Sequence, residues 1–393
     1  MVQSLTLVVT SAVPWQGATA RPHHFAKELA SRGWDVLYVN GPVTWLSPLK
    51  NPGLRSRNFL LPRQSLQTLP LPTGSGQLRV LTPVASLPFG NLYRWINRLN
   101  QRLLATQIRF ATDKPVVLLP MLPNSVDLLP HLTPLATLYD CVDLHSHFPG
   151  FVNPTLVDTM ERDLVYASRV VFATATALKA RLSPYHNDVR LIPNAAEVAL
   201  FRTATTVKLH PLLAEIPEPR VGFVGGLGAW VDYALIAAMA KSRPEIQFVL
   251  VGPRHADVSP LNHLQNVHLL GLQPYQELPR FLQGFAVTLH AFVNNELTRS
   301  VNPIKIYEYL AAGREVIATR SEELEPLSEV LWLVNSLDEA LAALDRVLAG
   351  ETRTHPTVRA EFVSGQSWAA RVDQIESALL EVIPSSLRDR ARG

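Results

Sequence analysis

The chain has 393 residues, enough for two to three domains, and 47 % of them are apolar, so that each domain can bury a core of its own. The one cysteine, Cys141, excludes disulfide-stapled secreted proteins and cysteine-based zinc sites, and it predicts a reducing, cytoplasmic location. Residues 1–115 hold 13 Lys and Arg against 3 Asp and Glu, whereas the remaining residues hold 23 against 30, so we expect the N-terminal part to face something anionic.

Short aliphatic runs alternate with helical patterns in both halves of the chain, which is typical of parallel sheets with crossover helices. In the first half we predict strands over 5–9, 36–39, 80–84, 116–119, 136–139, 169–172 and 189–192, and helices over 21–31, 92–110, 156–166 and 176–182. In the second half we predict strands over 221–224, 247–251, 267–269, 286–290 and 316–318, and helices over 233–240, 303–312, 337–348 and 368–382. The proline-rich segment 41–78 predicts a long functional loop or a paired excursion.

The domain boundary is predicted between the two halves. Residues 193–219 contain four prolines and no strand-like run, which indicates an interdomain connection. We therefore predict a first domain over 1–200, a linker over 201–219, a second domain over 220–370 and a separate C-terminal segment over 371–393.

Each half begins with a strand that runs into glycine. In the second half the strand at 221–224 is followed by Gly225, Gly226 and Gly228, whose missing side chains would let backbone N–H groups approach a phosphate; a plain strand-to-helix turn is the alternative. In the first half Gly17 lies in the corresponding loop, before Arg21 and His23 at a helix start. These residues predict either an anion site on the acceptor or phosphate side, or a simple helix cap.

The segment 294–313 is the most informative part of the sequence. Lys305 and Glu308 are three residues apart and share one face of the helix that begins near Pro303. A surface ion pair is one interpretation. The other is a ligand site, because this helix follows the carboxyl edge of a parallel sheet, where a lysine can hold a diphosphate and a carboxylate can accept both hydroxyls of a ribose.

The stretch Asn302-Pro-Ile-Lys-Ile-Tyr-Glu-Tyr-Leu-Ala-Ala-Gly313, with further segments at 21–24, 139–143, 191–194, 249–253 and 367–368, resembles the group 1, family 4-like glycosyltransferases of the GT-B fold. Within that group it is similar to the teichuronic-acid-type and xanthan-type exopolysaccharide subgroup. The resemblance implies an α/β fold with two Rossmann-like domains whose parallel sheets face a central cleft. It also implies that the C-terminal helix crosses back to the first domain.

The resemblance also implies a donor site. By it, Glu308 binds the ribose of a nucleotide sugar, Lys305 contacts the diphosphate, the three glycines admit the phosphates, and Arg299 and Asn302 join the donor side. Two features depart from the family pattern. Ser300 stands where the family has a glutamate, so that this glutamate is absent or is replaced by Glu296 from an offset. The basic pair that usually follows the glycine loop is missing.

Sugar transfer needs a base for the acceptor hydroxyl. Asp140 and Asp143 follow a first-domain strand and are the candidates, with Asp140 favoured; a helix-cap or turn role is the alternative. No D-x-D motif occurs, so we expect neither a metal nor a cofactor. The predicted function is metal-independent transfer of a sugar to a glycan or lipid-linked acceptor in cell-surface polysaccharide or glycoconjugate synthesis. A nucleotide-sugar epimerase and an inactive carbohydrate-binding scaffold are the alternatives.

Neither a signal peptide nor a membrane span is expected from the sequence, and nucleic acid is not an expected partner. In residues 88–104, however, Arg94, Arg98 and Arg102 recur every four residues beside Leu92, Trp95, Ile96, Leu99 and Leu103. This is a basic amphipathic helix, close to the prolines and aromatic residues of 41–63. It predicts peripheral attachment to an anionic inner membrane face, while an ordinary helix packed on the sheet is the other interpretation.

Overall fold

The computed structural model describes residues 4–17, 19–41, 43–44, 46, 65–71, 76–148 and 150–388. The chain divides into two compact units, Met1–Pro193 with Arg371–Gly393, and Asn194–Ala370. Both units are α/β and have mostly parallel sheets. Among the described residues, no helix is long and apolar enough to cross a membrane.

The first unit is built on an eight-stranded sheet with the order β3-β4-β2-β1-β5-β6-β7-β8. Most of its strands are continuous aliphatic runs, because helices cover both faces of a parallel sheet. The strands are β1 (Thr6–Thr10), β2 (Asp35–Val39), β3 (Ser65–Leu69), β4 (Gln77–Thr82), β5 (Val116–Pro120), β6 (Ala136–Cys141), β7 (Val170–Ala173) and β8 (Val189–Leu191). The helices are α1 (Arg21–Ser31), α2 (Arg94–Ala111), α3 (Leu129–Leu132), α4 (Pro154–Ala167) and α5 (Thr176–Leu182).

The proline-rich segment 41–78 lies largely outside the described residues, which omit 42, 45, 47–64 and 72–75. Its described end forms β3, which pairs antiparallel with β4. Strand β4 begins at Gln77 and ends at Thr82, three and two residues earlier than the predicted 80–84. The other strand pairs of this sheet are parallel.

The second unit has a parallel six-stranded sheet with the order β11-β10-β9-β12-β13-β14. Its strands are β9 (Arg220–Val224), β10 (Gln247–Val251), β11 (Val267–Gly271), β12 (Val287–His290), β13 (Glu315–Thr319) and β14 (Trp332–Val334). Its helices are α6 (Val198–Arg202), α7 (Tyr233–Ser242), α8 (Leu278–Gln283), α9 (Glu296–Arg299), α10 (Ile304–Ala311), α11 (Leu337–Leu348) and α12 (Pro356–Ser364). This strand order reverses between β9 and β12, which makes that position the topological switch point.

The predicted linker at 201–219 is part of the second unit. Phe201, Ala204, Leu213 and Ile216 are buried in the core on which α10 also packs. The segment is buried and is not a linker because its apolar side chains pack into the core, and its prolines do not prevent this packing. The boundary between the units accordingly falls after Pro193.

The C-terminal residues from Arg371 onward group with the first unit. Helix α13 (Trp368–Val382) precedes a last turn, α14 (Ser385–Arg388). Val372, Ile375 and Leu379 on α13 are fully buried. Asp373 and Glu376 accept hydrogen bonds from Arg32 at 2.6 and 2.8 Å, and Trp34 donates to Glu376 at 2.8 Å.

Candidate functional site

The carboxyl ends of β9 and β12 meet at the switch point of the second unit, where ligands bind in doubly wound sheets. The glycine loop 225–228 follows β9, and α10 begins after Pro303. Pro303 fixes the backbone just before the first turn, and Gly313, with a φ of 72°, follows the last turn. Lys305 therefore lies in the first turn of α10, where the helix dipole favours anions.

Glu308 is the buried centre of this site. Its side chain is 2 % exposed, and its two oxygens have different partners. Lys305 Nζ donates to Oε2 at 2.7 Å, and Tyr275 Oη donates to Oε1 at 3.1 Å. The three residues form a hydrogen-bonded cluster that combines a carboxylate, an ammonium and a phenol.

No motif in the sequence points to Tyr275 as part of this cluster. It lies in the turn after β11 and has no fixed spacing to Glu308, which is 33 residues further along the chain. Burial, followed by the nearby Glu308 carboxylate, raises the pKa of Tyr275 well above its ordinary range. The phenol therefore stays protonated and remains a hydrogen-bond donor.

The glycine loop is held by the loop after β10. Gly225 N–H donates to Val251 O at 2.9 Å, and Leu227 N–H donates to Pro253 O at 2.9 Å. Gly252 has a φ of 153°, and a side chain there would place its Cβ 1.8 Å from Gly225 O. Lys305 is also close to this loop, because a Cβ on Gly225 would be 3.8 Å from its Cε.

The three glycines of this loop do not have the same surroundings. Gly225 and Gly226 are half-buried, and a Cβ on Gly226 would make ordinary contacts with His255 and Trp230. At Gly228 a Cβ would lie 2.4 Å from the Trp230 ring. The lack of a side chain at Gly228 thus gives room to the Trp230 ring, and the phosphate contact of its backbone stays a prediction.

Two other predicted donor residues lie near α9 and α10. Asn302 is buried and bonds to protein: it accepts from Asn194 N–H at 2.9 Å and donates to Glu323 at 2.9 Å and to Tyr307 Oη at 3.1 Å. Its side chain positions this region, in contrast to the predicted donor contact. Arg299 is exposed and donates to Asn294 Oδ1 at 2.7 Å.

Ser300 stands where the family resemblance expects a glutamate. It is buried, and its hydroxyl donates to Glu296 O at 3.1 Å, which closes the single turn of α9. Glu296, the offset candidate, is exposed at the start of that turn.

In the first unit Asp140 is locked in a buried ion pair. Arg21 donates to its two oxygens from Nε at 2.8 Å and from Nη2 at 2.9 Å, and the two side chains are 3 % and 0 % exposed. The Nη1 atom of Arg21 also donates to the carbonyl oxygens of Ile192 and Pro193. This geometry corrects two expectations, because it leaves neither Asp140 placed as a base nor Arg21 placed as an anion ligand.

Asp143 has the opposite environment. It is half-buried, and among the described residues no side chain forms a salt bridge or hydrogen bond with its carboxyl group. Burial alone raises the pKa of Asp143 to about 7. A carboxylate with this pKa can accept a proton near neutral pH, so Asp143 is the better placed of the two predicted bases.

His23 closes the loop before α1. Ala20 N–H donates to Nδ1 at 3.0 Å, and Nε2 lies 3.1 Å from Pro14 O, so the neutral tautomer with its proton on Nε2 satisfies both contacts. The ring stacks on Tyr38 at a centroid distance of 5.4 Å. Burial lowers the pKa of His23 to about 4. These contacts correct the predicted anion role of His23 and give it a structural one.

Gly17, the glycine of the first-unit loop, is exposed and has a φ of 141°. A side chain there would meet no atom within 4 Å, so only the backbone conformation favours glycine. Within the described residues, no group of three or more His, Cys, Asp or Glu side chains could hold a metal ion.

Comparison with known proteins relates this site to a family. Residues 218–349, which carry the glycine loop, Lys305 and Glu308, match the family described as glycosyl transferases group 1. A Bacillus subtilis (strain 168) protein named "Putative teichuronic acid biosynthesis glycosyltransferase TuaH" is 22 % identical over 260 residues. That match covers 61 % of this chain and 65 % of the relative, which is just under two thirds of the relative's length.

Solved structures of similar fold cover almost the whole chain. Escherichia coli trehalose-6-phosphate synthase, bound with UDP-2-fluoro glucose, has a TM-score of 0.69 at 12 % identity and covers 96 % of this chain and 100 % of its own. Anabaena Alr3699/HepE, in complex with UDP and glucose, has a TM-score of 0.68 at 16 % identity and covers 96 % and 99 %. At such identities the likeness shows the fold alone. The chain has the GT-B fold, and its residues 218–349 are similar to the glycosyl transferases group 1 family.

Proposed function

We propose that this protein is a glycosyltransferase that takes a nucleotide sugar on its second unit and transfers the sugar to an acceptor hydroxyl. The observation that carries the proposal is the cluster of Lys305, Glu308 and Tyr275 beside Gly225 at the switch point of the second sheet. Glu308 can accept the hydroxyls of a ribose, and Lys305 can turn to the diphosphate that leaves. The group 1 match over 218–349 supports this assignment.

The reaction needs a proton acceptor for the acceptor hydroxyl, and we assign this role to Asp143. The Asp143 carboxyl has a pKa of about 7, while Asp140 is held by Arg21. A general base works best when its pKa lies near the working pH, because the deprotonated form is then both populated and basic enough.

The donor and the acceptor are proposed from the relatives. A UDP-sugar is the first donor to test, because the solved neighbours are described in complex with UDP, UDP-glucose or UDP-2-fluoro glucose. A role in cell-surface polysaccharide synthesis, with a glycan or lipid-linked acceptor, follows from the name of the Bacillus relative. We propose that the reaction needs no metal, in which case EDTA leaves the rate of transfer unchanged.

Ligand binding tests the donor site directly. In a thermal-shift panel of UDP, GDP and ADP and their sugars, a ligand at about 100 times its dissociation constant stabilises the protein by roughly 2.7 kcal/mol. We expect one base to stand out. Donor consumption that needs an acceptor excludes an epimerase, and any transfer above background excludes a scaffold.

Substitutions at Glu308 and Lys305 should separate binding from departure of the diphosphate. Glu308→Gln replaces a charged acceptor by an amide, so we expect donor affinity to fall by about 1.5–3 kcal/mol. Lys305→Ala should mainly slow turnover, because the ammonium stabilises charge that develops in the transition state. The exposed Glu361→Gln and Lys241→Ala are matched controls. Unchanged donor affinity in Glu308→Gln would contradict the assignment.

We also propose that the first unit attaches to an anionic lipid surface through α2. Trp95, Leu99 and Leu103 are 61 %, 48 % and 43 % exposed, and they follow one another at intervals of four residues. Phe110, at 81 % exposure, continues this stripe, and the exposed Arg98 and Arg102 lie beside it. An exposed apolar stripe next to arginines fits the interface of an anionic membrane.

The rest of α2 is used inside the unit. Ile96, Leu104 and Ile108 are buried, and Arg94 donates to Asp163 at 2.6 Å and to Asp127 at 3.1 Å. Arg94 is therefore not part of the proposed surface, in contrast to the sequence expectation. The neighbouring residues 42, 45 and 47–64, which hold most of the expected aromatic and proline residues, lie outside the described part of the chain.

Sedimentation with liposomes tests the attachment. We expect pelleting with phosphatidylglycerol vesicles and little with phosphatidylcholine vesicles, and a loss of pelleting in high salt. Arg98→Glu with Arg102→Glu should abolish it, as should Trp95→Ser with Leu99→Ser. Arg162→Glu with Arg169→Glu, two arginines elsewhere on this unit, is the control. Equal pelleting of the wild type with both vesicle types would favour a soluble acceptor. Equal pelleting of the two double arginine variants would favour it as well.

A further inference from the structure

In the proposed reaction Glu308 loses one of its two hydrogen bonds and keeps the other. Lys305 holds one carboxylate oxygen and Tyr275 the other. When Lys305 turns to a diphosphate, Oε2 loses its donor within the protein. The hydroxyl of Tyr275 then remains to fix a carboxylate that is 2 % exposed.

The ring of Tyr275 is well placed for this role. It lies in the turn between β11 and α8 and contacts Phe201 edge to face, at a centroid distance of 5.5 Å and an interplanar angle of 78°. Phe201 is fully buried in the core of the second unit. The position of the hydroxyl is therefore set by packing, so its hydrogen bond does not require a flexible side chain to be ordered.

We infer that Tyr275 is the positioning residue for ribose recognition: its hydroxyl holds Glu308 in the orientation that accepts the ribose hydroxyls while Lys305 serves the diphosphate. This inference rests on the proposed function and deepens it. Tyr275 touches no reacting atom in this scheme. Its effect is on selectivity for ribose over deoxyribose, because in this scheme Glu308 accepts from the hydroxyl that distinguishes them.

The test compares each of UDP, GDP and ADP with its 2′-deoxy form by calorimetry. Tyr275→Phe keeps the ring and removes one hydroxyl, so the core contact with Phe201 survives. We expect the preference for the ribonucleotide to fall about tenfold in Tyr275→Phe. Tyr307→Phe is the matched control: it removes a buried hydroxyl from the residue next to Glu308, one that bonds to Asn302, and should leave this preference unchanged.

A double substitution separates positioning from structural damage. If Tyr275 acts through Glu308, Tyr275→Phe has no further effect on the ribose preference in a Glu308→Gln background. An unchanged preference for the ribonucleotide in Tyr275→Phe would overturn the inference but not the donor site. The same holds if the wild type binds the ribonucleotide and its 2′-deoxy form equally. Absence of binding by all six nucleotides would instead overturn the proposed function itself.

Discussion

Asp140 and Asp143 are three residues apart, and their surroundings give them different chemistry. Asp140 lies inside the first unit against the Arg21 guanidinium, so its charge serves the fold. Asp143 lies beyond the end of β6, and burial without a cationic partner raises its pKa to about 7. A pair of carboxyl groups with such different environments is a common way to separate a structural role from a catalytic one.

Asparagine substitutions should separate these roles. Asp143→Asn is expected to lower turnover by about 10²–10⁴-fold with donor affinity preserved, because it removes the proposed proton acceptor. In the wild type, turnover should rise with pH through about 7, as the carboxylate form becomes populated. Asp140→Asn should instead lower the free energy of unfolding by about 3–5 kcal/mol, because the Arg21 charge is left buried without its partner. Normal turnover in Asp143→Asn would exclude it as the base.

The buried imidazole of His23 predicts acid-induced destabilisation. Its pKa is about 4 in the folded protein against an ordinary value of 6.5, so between these values the unfolded chain binds more protons. The stabilisation is fully present above pH 6.5 and is lost as the pH falls to about 4, with a contribution of up to about 3 kcal/mol. Urea unfolding across this range measures it.

The matched variants for that experiment are His23→Gln and His131→Gln. Glutamine can accept from Ala20 and donate to Pro14 but cannot be protonated, so the slope of stability against pH should flatten in His23→Gln. The exposed His131 is the control. Equal slopes in the two variants would argue against a linked protonation of His23.

At the scale of elements, the two loops after β9 and β10 cross with almost no space between their backbones. Gly252→Ala would place a Cβ 1.8 Å from Gly225 O in a backbone conformation with positive φ. We expect the free energy of unfolding to fall by about 1–3 kcal/mol or more. Nucleotide binding should also weaken, because the glycine loop has to move. Gly350→Ala is the control, since it has a φ of 90° and no atom near its Cβ. Similar losses of stability in the two variants would mean that backbone strain, and not the contact with Gly225, causes the effect.

Helix α2 shows why its orientation could not be predicted from periodicity. Its buried face includes Asn97, Gln101 and Gln107, and Asn97 donates to Asp127 at 2.8 Å and to Asn124 O at 2.9 Å. Because a polar side chain with partners inside the unit can be buried, the polar Asn97 lies on the buried face while Trp95 and Leu99 are exposed. The sequence pattern indicates an amphipathic helix but not which stripe faces the sheet.

At the scale of the whole molecule, local pattern was enough for the alternation of strands and helices and for the α/β class. The motif at 302–313 also located Lys305 and Glu308 on one helix, because their spacing is local. The contacts that assign roles are long-range: Arg21 and Asp140 are 119 residues apart, and Tyr275 and Glu308 are 33 apart. Neither residue type nor spacing predicts such a pair, because its two members come together only in the folded unit.

The grouping of Arg371–Gly393 with the first unit has a consequence for biosynthesis. The ribosome completes the first unit last, although it begins it first, because α13 contributes Val372, Ile375 and Leu379 to its interior. The second unit, which is continuous over Asn194–Ala370, can fold while its neighbour is still missing a helix. A nascent chain that stalls near residue 370 would therefore carry a complete second unit and a first unit that lacks α13. We expect the exposed apolar surface of that first unit to attract chaperones and proteases.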